Sequence, residues 1–310
     1  MYDLVIIGGG PGGLSAGIYA QRASLDTVLI EKGAPGGQIN LTDEVENYPG
    51  FERLSGPELA MKMNQHAESL GLKTISDEVE AIEPGDKTHT VKLAGGQELT
   101  ALAVIIATGG YPRKLGIPGE DEYYGKGVSF CATCDGFFFR DKTVIVVGGG
   151  DTAVEEALYL AKITKKVYIA HRRDALRASP ILQNRVFEND KIDMLWDTVP
   201  TAIRAGDGGV NSIALKNTKT AETSDLAVDG VFIFIGYLPN ANLVPEVIKR
   251  TDGGYVLTNN RCETNIPGIY AIGDLVDKFA RQIVTAAGDG CTAALAAAQY
   301  VELKKATDAL

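Results

Sequence analysis

The stretch from Asp3 to Ile7 is an apolar run of the kind that predicts a strand buried on both faces. Six small residues follow, Gly8-Gly9-Gly10-Pro11-Gly12-Gly13, and the pattern then turns helical from Leu14 to Ala23. Thr27 to Ile30 predicts a second strand, ending on Glu31. The same order returns later. Thr143 to Val147 predicts a strand, Gly148-Gly149-Gly150-Asp151-Thr152-Ala153 a loop, Val154 to Lys162 a helix, and Lys166 to Ala170 a strand ending at His171. In both copies 23 residues separate the first loop glycine from the residue that ends the second strand. This is a duplicated strand–loop–helix–strand unit.

Two further strands are predicted to end in tight turns, Val104 to Gly109 with Thr108 and Gly109 at the turn, and Gly268 to Asp274 with Gly273 at the turn. Residues 285–304 predict a helix of small residues. Proline and glycine near Tyr111-Pro112 and near Gly236 to Asn240 mark two candidate crossovers. The expected fold is α/β, with two Rossmann-like dinucleotide-binding domains, the second inserted into the first: 1–112, 113–240 and 241–310.

Each loop carries chemistry. Gly8-x-Gly10-x-x-Gly13 has the spacing of a dinucleotide fingerprint, in which the glycines allow the turn, the approach of a pyrophosphate and close helix packing. Pro11 belongs to this loop as a cofactor-binding candidate, and the helix that follows faces the phosphates with its unpaired N–H groups. Glu31 can accept both ribose hydroxyls and would repel a 2′-phosphate, so this loop is expected to hold FAD or NAD. In Gly148-x-Gly150-x-x-Ala153 the corresponding acid is replaced by His171-Arg172-Arg173, with Arg177 shortly after. Contacts between cations and phosphate are worth about 1.5–3 kcal/mol each, enough for two of them to favour NADPH over NADH by about a hundredfold.

The chain has 310 residues, 45% hydrophobic, which suits two globular domains. A net charge of −10 argues against nucleic acid as a partner. No apolar run is long enough to span a bilayer. The first residues enter a strand without a basic stretch and apolar core ahead of it, so a reducing, cytoplasmic compartment is expected. Four cysteines are too few for a disulfide-stapled scaffold of this length. Cys131-Ala132-Thr133-Cys134 has three readings: half of a zinc site, an inert core pair, or a redox dithiol. The remaining cysteines, Cys262 and Cys291, and the histidines His66, His89 and His171 are scattered, so no metal site is expected. Asp135 beside the pair favours the redox reading, because an adjacent acid can shuttle the proton of thiol–disulfide exchange. Phe137-Phe138-Phe139 reads as buried strand or as partly exposed contact for a partner.

These motifs resemble the low-molecular-weight, bacterial-type thioredoxin reductases along the whole chain. The resemblance rests on residues 8–13, Gly36-Gly37-Gln38, Glu46-Asn47-Tyr48-Pro49-Gly50, Ala107-Thr108-Gly109, Cys131 to Phe138, Gly148 to Glu156, His171-Arg172-Arg173, Gly273-Asp274 and Arg281-Gln282. It implies FAD in the first domain, with Glu31 on the adenosine ribose and Gln38, Asn47, Asp274 and Gln282 at the flavin or its ribityl chain. It also implies NADPH on the second domain, with its 2′-phosphate on Arg172, Arg173 and Arg177. Cys134 would face the flavin, Cys131 would attack thioredoxin, and Asp135 would supply the proton. The likeness further implies a homodimer and a rotation of the second domain about the two crossovers. One position departs from it: Lys126 stands where many relatives carry arginine, keeping the charge but losing the planar fork. Another thioredoxin-like acceptor, a dithiol oxidase and a flavin redox sensor are the alternative readings.

Overall fold

The computed structural model describes residues 1–308 other than 43, 44, 46 and 207; Glu46 of the quoted motif therefore lies outside the described residues. Contacts divide the chain into two units, Met1–Tyr111 with Leu238–Leu310, and Pro112–Tyr237.

The first unit begins with β1 (Tyr2–Ile7), α1 (Pro11–Arg22) and β2 (Thr27–Glu31). α2 (Gly56–Ser69) follows, its first turn capped by Ser55 Oγ, which accepts from the Glu58 N–H at 3.2 Å. Then come β3 (Lys73–Ser76), β4 (Val79–Glu83), β5 (His89–Leu93) and β6 (Glu98–Ile106). They order as β3-β2-β1-β6-β5-β4. β1 lies parallel to both neighbours, with Ile6 opposite Leu29 on one side and Ile105 on the other. Side chains alternate across a strand, so Leu4, Ile6 and Ile105 feed one core and Val5, Ile7 and Ile106 the other. That double burial is why β1 reads as an unbroken apolar run.

The chain leaves through β7 (Gly110–Pro112). The second unit holds β8 (Val128–Ser129), the single-turn helix α3 (Ala132–Asp135), β9 (Thr143–Gly148), α4 (Asp151–Ile163), β10 (Lys166–Ala170), α5 (Pro180–Phe187) and β11 (Ile192–Leu195). β12 (Thr198–Gly206), β13 (Gly209–Asn217) and β14 (Thr223–Ala227) form a separate antiparallel sheet, and β15 (Gly230–Phe234) returns to the parallel one, whose order is β11-β10-β9-β15-β8. Val146 of β9 faces Ile169 of β10 and Phe232 of β15, repeating the arrangement around β1. Phe137–Phe139 form a 3-10 turn, which corrects the strand expectation: Phe139 is buried against Phe232, whereas Phe137 is 55% exposed.

The return segment β16 (Tyr237–Pro239) pairs with β7. The first unit is then completed by β17 (Ile269–Ala271), parallel to β6 with Tyr270 opposite Ile105, and by α6 (Ile283–Asp308). Close packing of α6 on α1 requires glycine at the crossing, since a Cβ on Gly290 would stand 2.1 Å from the Gly12 carbonyl oxygen. The predicted helix at 285–304 thus extends at both ends.

Candidate active site

In the first unit the glycine loop is shaped by contacts that leave no room for side chains. Gly8 has φ +104°, and a Cβ on Gly13 would lie 1.9 Å from the Gly8 carbonyl oxygen. Gly10, the middle glycine, has open space where its Cβ would point, so a pyrophosphate can approach the backbone there. Pro11 occupies the first turn of α1, where its missing N–H is not needed. Glu31 at the end of β2 accepts from the Gly9 N–H at 2.6 Å and from the Gly33 N–H at 2.8 Å. Its carboxylate therefore stands over the glycine loop.

Of the other first-unit candidates, Gly37 lies against this loop, and several of the rest are tied to one another or to neighbouring segments. Gly37 has φ +57°, and its Cβ would meet the Gly10 Cα at 3.3 Å. Gln38 beside it is exposed. Asn47 donates from Nδ2 to Gln282 Oε1 at 3.4 Å, joining segments 235 residues apart. Thr108 Oγ1 donates to the Asn240 carbonyl at 2.7 Å, and the Gly109 carbonyl accepts from the Asn240 N–H at 2.9 Å. Gly273, at φ +69°, donates its N–H to Asp289 Oδ2 at 2.9 Å, and Lys278 Nζ reaches the same oxygen at 2.6 Å. This ion pair fixes the turn that presents Asp274. The Arg281 guanidinium lies over the Tyr255 ring at 4.4 Å.

The second unit repeats the loop with altered chemistry. Gly150 again has open space at its Cβ position, while Gly148 packs against Ala153, which replaces the third glycine. Asp151 Oδ1 accepts from the Ser179 N–H at 2.6 Å, and Thr152 beside it is exposed. His171 is buried, its Nδ1 3.0 Å from the Gly148 carbonyl oxygen, and burial lowers its pKa. A Cβ on Gly149 would lie 2.2 Å from the same Nδ1. Arg172, Arg173 and Arg177 are exposed, and the Arg177 N–H donates to the Gly149 carbonyl at 2.7 Å. His171 thus sits beneath the loop while the three arginines carry its positive charge.

Cys131 and Cys134 are joined by a disulfide, with their Cα atoms 5.3 Å apart across α3. Ser129 Oγ donates to Asp135 Oδ2 at 2.6 Å and accepts from the Cys131 N–H at 3.0 Å. The Ala132 N–H donates to Glu156 Oε2 at 3.1 Å. Burial raises the Glu156 pKa, against the opposing pull of the Ala132 and Thr133 N–H groups. The Tyr124 phenol is raised by burial first and then by the Asp135 charge.

Two glycine loops with an open middle glycine, one followed by a strand ending in an acid and the other by a strand running into arginines, accompany a disulfide turn in the second unit. The chain matches the family described as pyridine nucleotide-disulphide oxidoreductase over residues 2–290. It is 48% identical to the thioredoxin reductase of Bacillus subtilis over 97% of this chain and 95% of that one. It is 47% identical to the thioredoxin reductase of Listeria innocua over 100% of this chain and 97% of that one. The crystal structure of thioredoxin reductase from Streptococcus pyogenes superposes with a TM-score of 0.94 at 48% identity, covering 97% of this chain and 98% of the other. The chain belongs to the thioredoxin reductases of the pyridine nucleotide-disulphide oxidoreductase family.

Ser129, Glu156, Asp289 and Lys278 escape sequence reasoning. Ser129 lies two residues before Cys131 and could have been suspected. Glu156 and Asp289 reach their partners across 24 and 16 residues, and no local spacing marks them. Cys262 is an inert thiol, its pKa pushed up to about 12 by burial and then by the Asp289 charge. Among the described residues no helix is long and apolar enough to cross a membrane.

Proposed function

We propose that this chain is an NADPH-dependent flavoprotein that reduces the disulfide of thioredoxin, with the Cys131–Cys134 disulfide as the observation that carries the reading. The overall balance is NADPH, a proton and a disulfide going to NADP⁺ and a dithiol. FAD, when bound, supplies the two-electron relay between the nicotinamide and the disulfide.

The roles of the residues follow from their chemistry. Gly8, Gly10, Gly13 and Glu31, with the Gly37-Gln38, Asn47, Thr108-Gly109, Gly273-Asp274 and Arg281-Gln282 segments, hold the flavin nucleotide. Gly148, Gly150, Asp151, Thr152 and His171 hold the second nucleotide, and Arg172, Arg173 and Arg177 give it its 2′-phosphate preference. Two electrons entering the disulfide break the S–S bond and leave Cys134 and Cys131 as thiol and thiolate. Cys131 then attacks the acceptor disulfide, releasing one acceptor sulfur, and Cys134 attacks the mixed disulfide to release the other. Asp135, held by Ser129, returns a proton to the departing sulfur. A homodimer in a reducing, cytoplasmic compartment is the working form we propose, on the family likeness and on the sparse cysteine content.

The test is anaerobic reduction of the yellow holoprotein by NADPH, followed by oxidised thioredoxin. Bleaching of the flavin and its recovery are expected, with recovery lost in Cys131→Ser and Cys134→Ser. Bleaching without recovery would move the acceptor away from thioredoxin, and no bleaching would overturn the reading of the second nucleotide loop.

A further inference from the structure

Beneath the disulfide turn lies a carboxylate that the proposed reaction does not use. Glu156 projects from α4, and its Oε2 accepts from the Ala132 N–H at 3.1 Å. The Thr133 N–H, one residue on, also favours the ionised form of this carboxylate. The next amide, that of Cys134, donates to Cys131 Sγ at 3.2 Å. In a dithiol turn of this kind the free amides would otherwise all favour a thiolate on the first cysteine. Here the first of them, that of Ala132, is turned toward a carboxylate instead, on the residue next to Cys131.

We propose that Glu156 is a positioning residue for the redox pair, one that holds the turn by its hydrogen bond to Ala132 and, by its charge, disfavours the Cys131 thiolate, making the dithiol a stronger reductant. This rests on the Cys131–Cys134 pair being the redox group of the function proposed above. Reduction breaks the S–S bond, places two electrons on the sulfurs, protonates one and leaves the other as thiolate at high pH. Any group that raises the energy of that thiolate shifts the equilibrium toward the disulfide and drives electrons outward to an acceptor. When ionised, the half-buried Glu156 carboxylate is screened by less solvent than an exposed one, so its charge reaches the turn it is bonded to. Glu155 acts on Glu156 from the same helix, Tyr159 of α4 lies against Gly136 at the end of the turn, and Tyr124 feels the Asp135 charge there.

The experiment needs neither NADPH nor thioredoxin, so its outcome is independent of the acceptor and of the nucleotide. The FAD-loaded protein is equilibrated with dithiothreitol redox buffers at about pH 9, where the Cys131 thiolate is populated, trapped by alkylation and read by mass spectrometry at Cys131 and Cys134. Glu156→Gln keeps an oxygen acceptor for Ala132 but removes the charge. Its disulfide is expected to be three- to tenfold easier to reduce, a rise of about 15–30 mV. The alkylation profile of its Cys131 is expected to shift to lower pH. A purely structural role predicts that Glu156→Gln matches the unsubstituted protein and only Glu156→Ala departs from it, which overturns the proposal. A measurement without substitution checks the same point: the reduced parent protein is expected to titrate at Cys131 at or above about 8.5, the ordinary cysteine value. A value below about 7.5, in the range of activated Cys-x-x-Cys thiols, overturns it as well.

Discussion

Arg172 and Arg173 are exposed beyond the end of β10, and neither they nor Arg177 interrupts the core. Replacing both by alanine is expected to raise KM for NADPH by about tenfold to a hundredfold while leaving KM for NADH nearly unchanged. Steady-state kinetics with the two nucleotides check this, and equal losses with both would refute the 2′-phosphate role. Two histidines carry a pH signature. Burial depresses the pKa of His89 and His171 below the ordinary value, so each holds a proton less tightly when folded. The unfolded chain then binds more protons between the two pKa values, and stability rises with pH there. The contribution is full above about pH 6.5, the unfolded value, and falls away as pH drops through that value toward the depressed folded pKa. Urea midpoints are expected to fall between pH 7 and 5.5, and less so in His89→Gln. A midpoint that stays level across that range would remove the histidine linkage.

Among the elements, the two glycine loops tolerate little change. Gly13→Ala sets a Cβ against the Gly8 carbonyl at under 2 Å, where only backbone movement gives relief. The variant is expected to lose FAD and to unfold several degrees earlier, measured by flavin release and thermal melting. Gly149→Ala meets a ring instead, and His171 must move. NADPH binding is expected to weaken in this variant while FAD content stays at one per chain; normal binding would show that the His171 position is not coupled to the loop. The redox turn follows the same logic, since four residues of helix have little stability of their own. The turn is held by Ser129 at one end, Glu156 beneath it, and Phe139 packed on Phe232 beyond it.

Across the whole molecule, the second unit is one continuous insertion, and its entry and exit strands pair with each other. Their ends are therefore near enough to be joined directly. A chain in which residues 112–237 are replaced by a short Gly-Asn turn is expected to fold and to purify yellow. It is also expected to fail to accept electrons from NADPH. Absorbance and stopped-flow reduction decide it, and a colourless, aggregated product would show that the first unit depends on the insertion for its stability.

The α/β class, the duplication and the contrast between acidic Glu31 and basic His171-Arg172-Arg173 were legible along the chain. Each is local: a buried parallel strand must be apolar on both faces, and a loop that approaches a pyrophosphate must be glycine at fixed intervals. The Cys-x-x-Cys pair was legible for the same reason, as a short spacing that closes a single turn. What the turn rests on was not. Glu156 under Ala132, Asp289 holding Gly273 and Asn47 reaching Gln282 are contacts across many residues. Phe137–Phe139, which read as a strand candidate, became a 3-10 turn because Phe139 is drawn onto Phe232 and Phe137 is left outside. Periodicity records which face of an element is buried. Which distant side chain then meets a given amide or thiol is decided only when the packed sheets and helices bring the two together.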